Sequence, residues 1–352
     1  MPTVQFEFTE EQKMIASMIG EFARAEGTSE KVRQAMETEA GYLPTVWQSM
    51  ASELGLCGLL VPESAGGQGL SMVEAALVFE QLGKMLLPSP LLATAVLGVS
   101  VLKALDQRTY LERIAGGELT TAVACLRGGK ADFVLDAGAA DLLILMDEAA
   151  PTISIVEADR KGVAIEPVAT LDQTRRLAHV TVTDAGVLRE CQAESGDKAV
   201  VAIEKAFNAA RIALAAETAG ASQTCLDRTV EYTGERVQFG RKIGSYQAVK
   251  HQMADMMIAI EAAISAVYFA ACAISEGHGD SPQLAAMAKV QASEALTFCA
   301  GRMIQLHGGI GFTWEHDAHL YFKRARSTMT LFGLNADLDE YIASRVGLGA
   351  CG

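Results

Sequence analysis

The sequence predicts a multidomain α+β protein that is mainly α. It divides into an N-terminal helical domain (1–118), a small middle β domain (119–190) and a C-terminal four-helix bundle (191–352). Three observations carry that expectation. Apolar residues recur at helical spacing early in the chain and again in long alanine-rich stretches after about residue 196. Between them the period changes: TTAVACL, DLLILMD, TISIVEA, GVAIEPV and AHVTVTD are short, β-branched and separated by Gly, Asp or Pro. Such runs are strands, and they read as a small antiparallel unit. The chain has 352 residues, 50% of them hydrophobic, enough for two or three packed units.

The elements follow in order. Thr9 with Gln12 forms a capping box, and Met14, Ile15, Met18, Ile19 and Phe22 then recur at helical spacing. WQSMASELGLCGLLVP runs into ESAGGQGLS, a glycine-rich turn, after which Ser71 with Glu74 caps the helix MVEAALVFEQLGK. Beyond the β segments, one long helix runs to EYTGER and Ser245 starts a second. Ser281 followed by Pro282 starts a third, which stops at His307-Gly308-Gly309. HLYFKRARSTM and ADLDEYIASRV are two shorter helices. Long apolar helices of this kind pack as a bundle. There is no internal repeat and no low-complexity segment.

The totals exclude several functions. With 43 acidic against 29 basic residues, the net charge of -14 argues against nucleic acid as a partner. Seven cysteines show no CxxC pair. That pattern predicts reduced, buried thiols in a cytoplasmic protein rather than a disulfide frame or a zinc site. The opening MPTVQFEFTEEQK is acidic and lacks an apolar signal core. No apolar run is expected to approach the roughly 18 residues that span a bilayer, so no membrane partner is expected.

Two constellations stand out. ERVQFGRKIGSYQAVKHQMADM is a basic island in an acidic chain. Arg236, Gln238, Phe239 and Gly240 are expected to end one helix, and Gln247 to begin the next. Free N–H groups and the positive dipole of a helix N-terminus favour an anion, an arginine adds a bidentate phosphate fork, and glycines let backbone approach closely. The segment therefore suits a phosphate-bearing cofactor; a solvated helix–helix corner is the plainer alternative. IQLHGGIGF is the second constellation, and its glycines alone would mean only a helix C-cap.

Together the two are far more specific. The sequence resembles the acyl-CoA dehydrogenase family. ERVQFGRKIGSYQAVKHQMADM is similar to that family's R-x-x-F-G…Q…A-[DE]-M signature, and QLHGGIGF followed by KRARS to its Q-x-[HL]-G-G-x-G-[FY] signature. The α–β–α order and the VPESAGGQGLS turn fit as well, so the resemblance covers nearly the whole chain. It implies the acyl-CoA dehydrogenase fold and the desaturation of an acyl-CoA thioester between Cα and Cβ. In that reaction a carboxylate base removes the α-proton and FAD takes a hydride. By resemblance, Arg236, Gln238, Phe239 and Gln247, with Gln305, Gly308 and Gly309, embrace FAD held mainly by a neighbouring subunit.

The sequence departs from the family at three places. In many members the base is a glutamate after the KRARS-like helix; aligned without gaps, that position is Phe332. Other members place it just before an arginine of the first bundle helix, here Ala210 before Arg211. The β-domain segments that wrap the flavin ring, Thr-Glu-Pro-x-(Ala/Gly)-Gly-Ser and a nearby Trp-x-x-(Asn/Ser), are missing from TTAVACLRGGKADFVLDAGAADLLILMD. These losses resemble the short non-catalytic subunit of heteromeric α2β2 acyl-CoA dehydrogenases of actinobacterial steroid side-chain degradation. The resemblance implies a catalytic partner subunit in a heterotetramer, an acyl-CoA substrate and an electron-transfer flavoprotein as acceptor. Two alternatives stay open: a homo-oligomeric enzyme with a displaced base such as Glu217 or Asp337, and a flavin-free scaffold or acyl-CoA-binding protein. Glu217 reads first as a bundle pair. Asp337, Asp339 and Glu340 read as helix-start charges, Asp317 as a cap with His319 in the first turn, and Trp314 and Tyr321 as core or interface. No metal is expected from the TWEHDAH histidines.

Overall fold

The computed structural model describes residues 7–347; residues 1–6 of the acidic opening segment, and Cys351, lie outside the described residues. Helices α1 (Glu10–Glu26), α2 (Ser29–Glu37), α3 (Pro44–Gln48), α4 (Met72–Lys84), α5 (Val99–Ala104) and α6 (Arg108–Ala115) come first. Strands β1 (Thr121–Leu126), β2 (Lys130–Leu135), β3 (Leu142–Asp147), β4 (Thr152–Glu157), β5 (Val163–Val168) and β6 (Leu177–Val182) follow. Next are α7 (Ala185–Glu190), β7 (Gln192–Ser195) and the 39-residue α8 (Asp197–Glu235). A hairpin of β8 (Val237–Gln238) and β9 (Arg241–Lys242) leads to α9 (Gln247–Ser275), α10 (Ser281–His307), α11 (Ala318–Thr328) and α12 (Asn335–Arg345).

Packing divides the chain into two compact units, one of Met1–Ser29, Met72–Leu87 and Arg211–Gly352, the other of Glu30–Ser71 and Pro88–Ala210. The division at 118 and 190 read from the sequence follows element type instead. In the helical unit, the Thr9 hydroxyl accepts from the Gln12 N–H at 3.2 Å and the Gln12 side chain accepts from the Thr9 N–H at 3.0 Å, the expected capping box. Of the apolar residues on α1, Ile19 is buried while Met14 and Met18 are exposed. Helix α4 crosses α8 closely because each carries a glycine at the crossing. A Cβ on Gly83 would lie 2.0 Å from the Glu217 carbonyl oxygen, and one on Gly220 would lie 1.9 Å from that of Glu80. A mid-helix glycine costs about 1 kcal/mol relative to alanine; the backbone approach explains why both positions carry it.

The second unit holds two sheets, ordered β1-β3-β4-β7 and β2-β6-β5. The expected antiparallel unit is corrected by β1 and β3, which run parallel from Thr121↔Leu142 to Leu126↔Asp147. The cause is the route of the chain. It leaves β1, builds β2 in the other sheet and returns as β3 in the original direction, the crossover that a parallel pair requires. One face of each sheet lines a shared core: Ala122, Ala124, Leu126, Leu143 and Leu145 from one, Ala178 and Val180 from the other, with Ala131 and Val134 brought to the same face by a register shift between them.

Helices α9 and α10 pack along one another in the helical unit. Contrary to the sequence expectation, α9 is long and apolar enough to cross a membrane by length and composition alone. Its Met256, Ile260, Ala263, Val267 and Ala270 are buried within the unit, as in a bundle helix. The six described cysteines are unpaired; Cys57, Cys225 and Cys299 are buried, whereas Cys125, Cys191 and Cys272 are only partly so, which corrects the expectation of uniformly buried thiols. Burial pushes the Cys57 and Cys299 thiols up to about 12, so they are held protonated.

Candidate functional site

The basic island does not simply end a helix. Helix α8 stops at Glu235, where the Arg236 N–H still donates to the Tyr232 carbonyl at 2.9 Å. The chain then folds back on itself, pairing Val237 with Lys242 and Gln238 with Arg241. Phe239 and Gly240 form the two-residue turn with φ of 54° and 79°. Two positive φ values give the turn a twist that matches the strands, so the expected helix end is corrected to a hairpin. Its base is pinned: the Arg236 carbonyl accepts from the Ile243 N–H at 2.9 Å. Ser245 does not cap α9. Its hydroxyl donates to the Lys242 carbonyl at 2.6 Å, and the helix starts at Gln247.

The hairpin faces outward. Arg236, Gln238 and Gln247 are exposed, and Phe239 is 93% exposed. The Arg241 guanidinium lies over the Tyr246 ring at 3.7 Å, while that of Arg236 has no hydrogen-bond or ion-pair partner among the described residues. An exposed, uncommitted guanidinium is suited to a phosphate.

The second constellation lies at the end of α10. Gln305, Gly308 and Gly309 are exposed, and a helical turn, Gly308–Phe312, follows. Gly308 has φ of 63°, which explains its glycine. Gly309 has neither a positive φ nor a neighbour: a Cβ there would meet nothing within 4 Å. Nothing among the described residues requires glycine at 309, so the space over it is open. Beyond it, Phe312 is 82% and Trp314 59% exposed, the latter with the Lys323 ammonium 4.4 Å above its ring. Tyr321 is buried and donates its hydroxyl to the Lys84 carbonyl at 2.7 Å.

The helix ends bearing these constellations are joined. The Tyr232 ring of α8 stacks on the His307 ring of α10 at 4.4 Å, and His307 lies 4.5 Å from His316. Below the stack, Arg228 donates to Asp317 at 3.0 Å, and the Ser29 hydroxyl donates to the same carboxylate at 2.6 Å. Asp317 stands at the N-cap position of α11 but makes no capping bond, because its carboxylate is taken up by those two donors; the expected cap is corrected. His319 is buried in the first turn of α11, 4.6 Å from the Trp314 ring. Among the described residues no three His, Cys, Asp or Glu side chains converge as metal ligands.

Phe332, which the resemblance sets at one of the family's base positions, is tied to the residue that follows Ala210. Arg211, next to the buried Ala210, donates its Nε–H to the Phe332 carbonyl at 2.9 Å. The loop around Phe332 is further held by Lys289, which is fully buried and donates to the carbonyls of Met329 (3.0 Å) and Gly333 (2.7 Å) and to Asn335 Oδ1 (2.6 Å). Burial, and then the neighbouring Arg211 charge, push Lys289 down to about 8. Phe332 itself has φ of 56°, rare for an aromatic residue and maintained by these bonds. Neither Phe332 nor Ala210 can accept a proton. Glu217 is held by an ion pair with the buried Arg324. Asp337, Asp339 and Glu340 are exposed in the first half of α12.

In the second unit β1 turns back at once into β2. Arg127 and Lys130 bridge, with N–H to carbonyl distances of 2.8 and 3.3 Å, leaving Gly128-Gly129 as a two-residue turn. Both glycines have positive φ, 59° and 79°. This tight hairpin was not predicted from the sequence, although RGGK between two strands was the available signal.

The chain belongs to the acyl-CoA dehydrogenase family. Residues 9–118 match its N-terminal domain and residues 200–347 its C-terminal domain. The chain is 38% identical to acyl-CoA dehydrogenase IpdE2 of Mycobacterium tuberculosis, over 92% of this chain and 93% of that protein. It is 34% identical to acyl-CoA dehydrogenase FadE34 of the same organism, over 77% of this chain and 38% of FadE34. Its fold is that of the ChsE4-ChsE5 complex from Mycobacterium tuberculosis (TM-score 0.88, 24% identity, covering 99% of this chain and 100% of that one). It is also similar to the Tcur3481-Tcur3483 steroid ACAD (TM-score 0.85, 26% identity, 97% and 99% covered). Family members are oxidoreductases of acyl-CoA that normally bind FAD. The open space over Gly309 and the free Arg236 guanidinium fit the phosphate and adenosine end of that cofactor.

Proposed function

We propose that this chain is the non-catalytic subunit of a heteromeric FAD-dependent acyl-CoA dehydrogenase, lending half of a flavin site to a catalytic partner in a heterotetramer. One observation carries the reading. The surface that would reach a neighbour's flavin is built and exposed, while both base positions hold side chains without a basic atom and the ring-wrapping segment is a two-residue turn.

Bound FAD supplies the hydride acceptor for converting an acyl-CoA to a 2,3-enoyl-CoA. In this reading Arg236 holds the pyrophosphate, with Gln238, Phe239 and Gln247 beside it. Gln305, Gly308 and Gly309 hold the adenosine side, with Gly309 allowing close approach of the backbone. General-base catalysis needs a carboxylate within hydrogen-bond reach of the α-proton, so the partner provides it. The similarity to a steroid ACAD favours a steroid side-chain CoA ester as substrate. An electron-transfer flavoprotein is the proposed acceptor. A cytoplasmic location suits the six unpaired cysteines among the described residues.

The test is Arg236→Ala in the assembled complex. A charge-assisted bond to phosphate is worth roughly 1.5–3 kcal/mol, so FAD affinity should fall about tenfold to a hundredfold. Unchanged flavin occupancy would remove Arg236 from the site and overturn the shared-site reading.

A further inference from the structure

His307 sits at the junction of the two exposed segments, yet faces inward. It is 3% exposed, and its ring lies between Tyr232 of α8 and His316 of the turn before α11. Tyr232 is the residue whose carbonyl receives the Arg236 N–H. Gly308 follows His307 directly, and Gly311 packs back on it, since a Cβ there would lie 3.0 Å from the His307 Cβ. The ring thus touches the helix end that launches the hairpin and the turn before α11, and the diglycine follows the same residue directly in the chain.

We propose that His307 is a positioning residue, and that the Tyr232–His307–His316 stack clamps the hairpin and the diglycine at one fixed spacing for the flavin this chain lends. The inference rests on the shared-flavin reading above. Its force is geometric. Two segments that must grip one rigid ligand lose affinity when their spacing fluctuates, because ordering them then falls to the binding step.

Burial disfavours a charged ring in this position. Nδ1 lies 2.8 Å from the Met303 carbonyl, which can only accept, so the neutral tautomer carries its proton on Nδ1 and Nε2 is the titrating atom. The groups facing His307 are Tyr232 and Arg228 from α8, His316 from the turn, and the Met303 carbonyl on its own helix; Asp317 pairs with Arg228. Burial first, then His316 and Arg228, lower the His307 pKa against the opposing Met303 bond. A histidine lowered in the fold is neutral there while the unfolded chain still takes up protons. The clamp is therefore intact above the ordinary histidine range and weakens as pH falls through it.

The experiment is FAD retention by the intact assembly, measured by absorbance after desalting across pH about 8 to 5. His307→Phe preserves the stacking without the titration, so it should retain FAD at neutral pH and shift the pH of half-loss down by roughly one unit. His307→Ala should lower retention at every pH by roughly twofold to tenfold, the worth of an aromatic pair. An unshifted half-loss in His307→Phe would overturn the proposal even if His307→Ala failed to assemble. Arg236→Ala separates the two failures. If it loses flavin while both His307 variants behave as wild type, only the clamp is wrong. If it too retains flavin, the shared-site reading falls.

Discussion

Two turns of this molecule share one backbone geometry and differ in everything else. Gly128-Gly129 after β1 and Phe239-Gly240 between β8 and β9 each close a two-residue hairpin through two positive φ values. At the first, both residues are glycine, the conformation costs no steric strain and the turn presents no side chain. At the second, an aromatic residue takes the left-handed conformation and is 93% exposed. An exposed Phe in that conformation loses twice in the isolated chain, through strain and through unburied apolar surface. The pairing separates a minimal connection from a turn that, in the proposed reading, is built to meet something outside the chain.

The largest expected effect tests whether another carboxylate evades the comparison by serving as base. Glu217→Gln removes the partner of the buried Arg324; breaking a buried pair costs roughly 3–5 kcal/mol. Thermal unfolding should shift down strongly, whereas loss of turnover with no change in stability would make Glu217 catalytic.

Next is the loop holding Phe332. Lys289 is lowered in the fold to about 8, so the unfolded chain binds more protons and stability should rise with pH between about 8 and 10.4. Lys289→Met should abolish that rise in denaturant unfolding measured across the window. A persistent rise would assign it to another group.

The comparison itself is addressed by Phe239→Asn, since asparagine tolerates the left-handed region. The free chain should gain up to about 1 kcal/mol of stability, while the assembly should bind FAD or its partner less tightly. A gain without that loss would make Phe239 incidental. Gly128→Ala should cost about 1 kcal/mol and leave flavin content unchanged. A flavin effect there would show that the short turn still reaches the cofactor.

Much of this was legible in the sequence, for identifiable reasons. The long helices announced themselves by apolar period and by Pro282 and Gly308 at their ends. Five of the strands were β-branched and apolar. Strand β2, KADFVL, was missed because charged and exposed residues dilute its pattern, and β7, QAES, because it is short and polar. The parallel pairing of β1 with β3 depends on a route between sheets that no local pattern encodes. At the candidate site, the motifs gave the residues but not the hairpin, because RVQFGRK is basic and too short for a strand period. The Tyr232–His307–His316 stack joins residues far apart in the chain, and each histidine alone looks like ordinary helix-end chemistry. The Lys289 cage was hidden in the same way: a lysine in an alanine-rich helix reads as surface until the loop folds over it.

The central claim is that this chain lends a half-site and cannot complete one. The measurement that tests it most directly is the flavin-to-chain ratio, by absorbance, of the protein purified alone and after co-expression with a catalytic acyl-CoA dehydrogenase subunit. The account predicts a ratio near zero for the chain alone, restored in the complex. A ratio near one for the chain alone, with turnover of an acyl-CoA, would contradict it.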